Sequence, residues 1–209
     1  MNTIDPYKYP ATVILGNGDY PCAHLPLEVL DKAHTIVICD GAANSYVPTG
    51  KPFDIIIGDG DSIADDIRKQ HDSRIIISSC QETNDQTKAV KYLLEKGIRQ
   101  LAIVGATGKR DDHTLGNISL LIEYFKQGVM ARIYTDHGVF IPAQGNTTLL
   151  THPGQQISIF NFGCTQLSAQ GLQYPIRPFD SWWQGTLNEA TADRCIITAD
   201  GMLLIYVAY

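Results

Sequence analysis

Leu101-Ala102-Ile103-Val104 runs directly into Gly105-Ala106-Thr107-Gly108-Lys109-Arg110-Asp111-Asp112-His113. The first four residues are apolar and uninterrupted, the pattern of a strand buried on both faces of a parallel sheet. The glycine-rich segment reads as a turn. Beyond it, over residues 114–126, Leu115, Ile118, Leu121, Ile122 and Phe125 recur at the spacing of one helical face, and Gly128 is the stop. Strand, glycine turn and helix in that order form half of a βαβ unit. What lies on either side decides the fold class.

Short apolar, mostly β-branched runs recur upstream at residues 11–15, 35–39, 54–57 and 74–77, and downstream at 131–134. Helical spacing separates them. Residues 61–70 are amphipathic, with Asp61 or Ser62 available as a cap and Asp65 and Asp66 in the first turns. In residues 87–96, Ala89, Val90, Leu93 and Leu94 share a face and Gly97 ends the helix. Alternation of this kind predicts an α/β fold with an open, mostly parallel, Rossmann-like sheet. After about residue 136 the helical period disappears. Apolar runs at 138–141, 147–150, 156–160, 195–198 and 203–207 alternate with Gly, Pro and Asn, which predicts a smaller antiparallel β-sandwich. The expected division is therefore 1–135 for the α/β domain and 136–209 for the β domain.

Composition narrows the function classes. The chain has 209 residues, 44% hydrophobic and 18% charged, as in an ordinary folded protein. With 16 Lys+Arg against 22 Asp+Glu the formal charge is −6, which gives no support to a non-specific nucleic-acid binder. The five cysteines contain no CxxC pair, against a zinc knuckle or a thioredoxin-type site, and suit a reducing cytoplasm. No signal-peptide pattern opens the sequence, and no apolar stretch reaches the ~20 residues of a membrane helix. A cytoplasmic protein without membrane or nucleic-acid partners is expected.

The carboxylates are placed unevenly. Asp40-Gly41, Asp59-Gly60-Asp61, Glu82 with Asp85, and Asp111-Asp112 each follow one of the apolar runs. The C-terminal ends of parallel strands share one edge, where ligands bind, so these groups are expected to converge. Close carboxylates repel one another unless a cation holds them, and hard oxygen donors suit Mg²⁺ bound against substrate phosphates. Taken alone, Gly58–Ser62 reads equally as a cation-binding turn or as a turn with a helix cap. A capped helix start explains most of Thr83–Lys88. Gly105–Arg110 is neither a Walker A loop nor GxGxxG. Its backbone N–H groups, with Lys109 and Arg110 beside them, favour phosphate. His113 is either a general base or a structural histidine at a helix start, and Asn117 lies on the same face. The other histidines form no ligand spacing, and no Ser-His-Asp or Cys-His arrangement emerges.

In this order the tracts resemble the thiamine pyrophosphokinase family. Asp40-Gly41-Ala42-Ala43-Asn44 is similar to its first motif. Gly58-Asp59-Gly60-Asp61-Ser62-Ile63 matches G-D-x-D-S-[IL], with glycine where an aromatic residue is common. In the third motif Asp85 carries over, whereas Cys80 stands where an acidic residue is often found and Glu82 where Asp is common. Gly105, Gly108, Arg110, Asp112, His113 and Asn117 match G-x-x-G-x-R-x-D-H-x-x-x-N, the most specific of the set. Gly171–Pro175 and Gly185–Glu189 resemble tracts near the family's thiamine site, with Leu187 where Ser is usual.

The resemblance implies an enzyme that transfers a pyrophosphoryl group from ATP to the thiamine hydroxyl and releases AMP, as a homodimer. Asp59, Asp61 and Asp85 would hold Mg²⁺, with Arg110 and Asp112 also catalytic. Asp40, Gly41, Asn44, Thr87, Lys88, Gly105, Thr107, Gly108, Lys109, His113 and Asn117 would contact ATP, and Trp183, Leu187 and Asn188 thiamine. The alternatives are a pyrophosphokinase acting on a pterin-like alcohol, and a non-catalytic sensor of nucleotide or thiamine diphosphate.

Overall fold

The computed structural model describes residues 2–80 and 82–209. The chain opens with β1 (Asn2–Ile4), β2 (Thr12–Leu15), α1 (His24–Asp31), β3 (Thr35–Cys39), α2 (Ala43–Tyr46), β4 (Ile55–Gly58), α3 (Asp65–His71) and β5 (Ile75–Ile77). It continues with α4 (Asp85–Glu95), β6 (Gln100–Val104), α5 (Asp111–Lys126) and β7 (Met130–Tyr134). The remaining strands are β8 (Gly138–Gln144), β9 (Thr147–Leu150), β10 (Gln156–Phe162), β11 (Leu167–Gln170), β12 (Asn188–Glu189), β13 (Arg194–Ala199) and β14 (Met202–Ala208). Residues 9–136 form one compact unit, and residues 137–209 with 2–8 form a second.

The first unit is built on a parallel sheet in the order β7-β6-β2-β3-β4-β5. The chain starts in the middle at β2, moves outward through β3, β4 and β5, then returns to place β6 on the other side of β2. Val13, Ile14 and Leu15 pair with Ala102, Ile103 and Val104 across that reversal. Val13, Ile14, Val37, Ile38, Ala102 and Ile103 are fully buried, which explains the unbroken apolar runs. Ala89, Val90 and Leu93 of α4, and Leu121, Ile122 and Tyr124 of α5, add buried helical faces. Leu115, expected on the apolar face of α5, is exposed.

Three helix starts differ from the sequence reading. Helix α4 begins at Asp85 rather than at 87. Residues 61–64 are not helical: α3 begins at Asp65 with Ala64 at the cap, so Asp61 stays in a turn. By contrast α5 begins at Asp111, which puts Asp112 and His113 in its first turn. α1 was hidden by Pro26, which sits within the first turn, where a missing N–H breaks no intrahelical bond.

The second unit contains two sheets. One is antiparallel, in the order β12-β10-β14-β8. The other runs β1-β9-β13-β11, with β1 parallel to β9 and the remaining pairs antiparallel. Ile157, Ile159, Leu203, Ile205 and Val207 from the first sheet, and Leu149, Cys195 and Ile197 from the second, are buried. Residues 2–8 thus belong with the β unit rather than with the α/β unit: Asn2, Thr3 and Ile4 pair with Thr147, Thr148 and Leu149, and Ile4 is buried. The five cysteines are free thiols, with Cys39, Cys164 and Cys195 buried. Among the described residues no helix is long and apolar enough to cross a membrane.

Candidate active site

The reversal of strand order between β2 and β6 defines a switch point, and open α/β sheets bind ligands outside the strand ends at such a point. Here the two following loops are hooked together. Gly16 N–H donates to Val104 O (2.8 Å), Gly18 N–H to Gly105 O (2.6 Å) and Asp19 N–H to Thr107 O (2.8 Å). Gly108 has φ 83°, and a Cβ on it would lie 2.1 Å from Asp19 Oδ2, so only glycine fits. The turn feeds the N-terminus of the 16-residue α5, whose first backbone N–H groups lack intrahelical partners. Backbone donors and the helix dipole make this end attractive to anions.

A cleft of about 490 Å³ opens there. Asp59, Asp85 and Lys88 line it from the β4 loop and α4, and Lys109, Arg110, His113 and Asn117 from the β6 loop and α5. Asn17 and Gly18 also line it, although the sequence reading passed over them.

Three carboxylates gather beside the cleft. Asp40, Asp59 and Asp61 each bring an oxygen within 4.8 Å of the others. Asp40 is almost fully buried, and its Oδ1 has no hydrogen-bond partner. Burial, and secondly Asp59, push its carboxyl up to about 6 against the weak pull of the Ser62 N–H. Asp59 moves the other way, lowered by its contact with Asp40 and by the Asp61 N–H. An orphaned, buried oxygen among acidic neighbours is a donor set that a hard divalent cation satisfies.

Asp85 is not in that trio. Its Oδ1 accepts from the Lys88 ammonium at 2.9 Å, the i,i+3 spacing of α4. Lys88 is buried. Burial opposes its charge, yet Asp85, Asp59 and Asp40 together raise its pKa above the ordinary value. The Arg110 guanidinium grips Asp112 in bidentate fashion (Nε–Oδ1 3.1 Å, Nη2–Oδ2 2.6 Å) and holds that carboxyl at about 2.

Hydrogen bonds around the cleft position its walls. Asn44 donates to Ser62 O (2.7 Å) and accepts from the Ala64 N–H (2.9 Å), which fixes the loop that carries Asp59 and Asp61. Asn84 caps α4 through the Thr87 N–H and donates to Asn117 Oδ1 (2.8 Å), while Asn117 donates to Ala106 O. The Thr87 hydroxyl meets the Tyr124 hydroxyl at 2.7 Å. Thr107 contributes its backbone oxygen to Asp19, and Gly105 takes φ 67° at the turn.

Trp183, Leu187 and Asn188 lie in the second unit. Trp183 is 74% exposed and Leu187 79%, the latter with φ 60°. Asn188 is buried, and its amide bonds the backbone of Tyr174 in both directions (3.0 and 2.8 Å) as well as the Glu189 N–H. Its side chain therefore holds the loop.

Fold and site define an α/β protein with a cleft, a carboxylate trio and a glycine turn at the strand ends of a parallel sheet, and a β unit in the same chain. Residues 27–133 match the family model "Thiamin pyrophosphokinase, catalytic domain", and residues 138–206 match "Thiamin pyrophosphokinase, substrate-binding domain". The chain belongs to the thiamin pyrophosphokinase family. It resembles the solved thiamine pyrophosphokinase of Bacillus subtilis at 22% identity and a TM-score of 0.78, over 94% of this chain and 98% of that one. Thiamin pyrophosphokinase from Candida albicans matches at 18% identity and 0.78, over 99% and 92%. The yeast enzyme matches at 16% and 0.78, over 99% and 90%. No curated protein matches the chain by sequence.

Proposed function

We propose that the chain transfers a pyrophosphoryl group from ATP to the hydroxyl of thiamin, giving thiamin diphosphate and AMP. The observation that carries this reading is the meeting of the Asp40–Asp59–Asp61 trio and the Gly105–Arg110 turn at one switch point, in a member of this family.

Asp40, Asp59 and Asp61 would hold Mg²⁺, because the buried Asp40 oxygen otherwise has no partner. Bound there, Mg²⁺ would supply positive charge against the phosphates. The protein's own share is placement and electrostatics, since such transfers leave little covalent chemistry to it. The Gly105–Gly108 turn and the first turn of α5 offer backbone N–H groups to the phosphates. Lys88, held by Asp85, brings a buried positive charge to the cleft. Arg110, oriented by Asp112, offers its remaining guanidinium edge to the transferred group. The thiamin oxygen forms its bond to the β-phosphorus as the bond from β-phosphorus to the α-phosphate bridging oxygen breaks; AMP leaves with that oxygen, and the hydroxyl proton passes to solvent water. The Arg110 contact lowers the Asp112 carboxyl to about 2 and makes it a weak base, so its part is to orient the guanidinium. Exposed Trp183 and Leu187 would meet thiamin, with Asn188 fixing their loop, in a cytoplasmic homodimer.

The test is AMP release from ATP with and without thiamin and Mg²⁺, with a hydroxymethylpterin as the rival acceptor. Thiamin- and Mg²⁺-dependent AMP release is expected, and Asp61→Asn should abolish it while the fold is kept. Nucleotide binding with no AMP under any condition would make the protein a sensor instead.

A further inference from the structure

Lys109 has φ 55°, and among the described residues only Leu187 shares a positive φ without being glycine. Left-handed backbone is costly for a side chain with a Cβ and free for glycine. The family pattern leaves this position open, between Gly108 and Arg110. A residue held in an unfavourable backbone conformation at a cleft points to a use for its side chain.

The ammonium of Lys109 donates to Asn17 Oδ1 at 3.0 Å, across 92 residues of sequence. Asn17 is itself held from two directions. Its backbone belongs to the loop hooked onto the β6 turn through Gly18 and Asp19. Its amide lies against Gly41, where a Cβ would come within 2.4 Å of Nδ2. Asn17 and Lys109 both line the cleft and both are exposed. An exposed contact of this sort adds little to stability, so it does not recover the backbone cost in the free protein. A bound polyphosphate would, through a charge-assisted hydrogen bond to the amine.

We propose that Asn17 is a positioning residue that steers the Lys109 ammonium over the phosphate end of the cleft, and that position 109 keeps its left-handed lysine for this contact. The inference rests on the ATP reading above. It adds to that reading the residue that aims the Lys109 amine.

Calorimetric titration with ATP and Mg²⁺, without thiamin, tests it on the full chain. Lys109→Ala should weaken ATP binding about tenfold at little change in Tm, a loss that Lys109→Arg partly restores. Lys109→Gly should weaken binding equally but raise Tm, because glycine adopts the backbone freely. Asn17→Ala should weaken binding about three- to fivefold, and should add nothing in the Lys109→Ala background, the signature of one residue acting through the other. Lys109→Ala that binds as well as wild type overturns the proposal, as does an Asn17→Ala loss that persists undiminished without the lysine. Wild-type protein that takes up no ATP overturns the donor reading and this proposal together, whereas binding that no variant alters overturns the proposal alone.

Discussion

Asp40 combines a buried carboxyl, an unpartnered oxygen and two acidic neighbours, and each has a consequence that titration can read. In the unfolded chain an aspartate titrates near 3.9, whereas burial and then Asp59 raise Asp40 to about 6 in the fold. The folded state therefore keeps a proton that the unfolded state releases between roughly pH 4 and 6. Stability should fall as pH rises through that window, and folding at pH 7 should carry the whole cost of the buried anion. Asp40→Asn is expected to flatten the profile between pH 4 and 6 and to raise Tm at pH 7, while abolishing transfer. Mg²⁺ should raise wild-type Tm at pH 7, change it little at pH 4.5, and leave Asp40→Asn unmoved. Thermal unfolding across pH, with and without the ion, reads all three. A variant that keeps the wild-type slope would remove Asp40 from the trio's electrostatics.

At the scale of elements, α4 and α5 meet where the cleft needs them. The Tyr124 hydroxyl on α5 touches the Thr87 hydroxyl at the start of α4 and receives Gln86 Nε2 at 3.4 Å, in the same helical turn as Lys88. Tyr124→Phe removes the hydroxyl and nearly nothing else, so it should cost about 1 kcal/mol in urea unfolding, the usual worth of such a bond. It should also raise the KM for ATP more than it lowers kcat, because the Lys88 helix start loosens while the carboxylate trio stays. An unchanged KM alongside the same loss of stability would argue for a purely structural bond.

Much of this level was readable in the sequence. Unbroken β-branched runs mark β2, β3, β4 and β6 because both faces of a parallel sheet are apolar, and the i,i+4 faces of α4 and α5 follow from helical geometry. The Asp85–Lys88 pair sits at helical spacing that the sequence displays. What stayed hidden depends on strand order. Gly16-Asn17-Gly18-Asp19 reads alone as an ordinary turn, and becomes part of the site only because β6 returns to lie beside β2. The available signal was a second glycine turn directly after a central strand. Asp40 entering the carboxylate trio in place of Asp85 has the same origin, since β3 and β4 are neighbours whose loops leave the same edge.

Over the whole molecule, the segment hardest to assign was the first strand. β1 has three residues and no period to display, and its place in the second unit rests on parallel pairing with a strand more than 140 residues away. It also covers the side of β9 that would otherwise offer unpaired backbone groups at a sheet edge. Ile4, 2% exposed, is the side chain that anchors it. Ile4→Ala should therefore cost about 2–4 kcal/mol, as truncation of a buried isoleucine does, and the loss should be local to the second unit. Amide hydrogen exchange resolves where it falls. Protection should drop along Thr147–Leu150 and its neighbour Arg194–Ala199, while Val13, Ile14 and Ile103 in the parallel sheet exchange as in wild type. Equal acceleration in both sheets would mean that the two units unfold as one and that the N-terminal strand supports the entire chain.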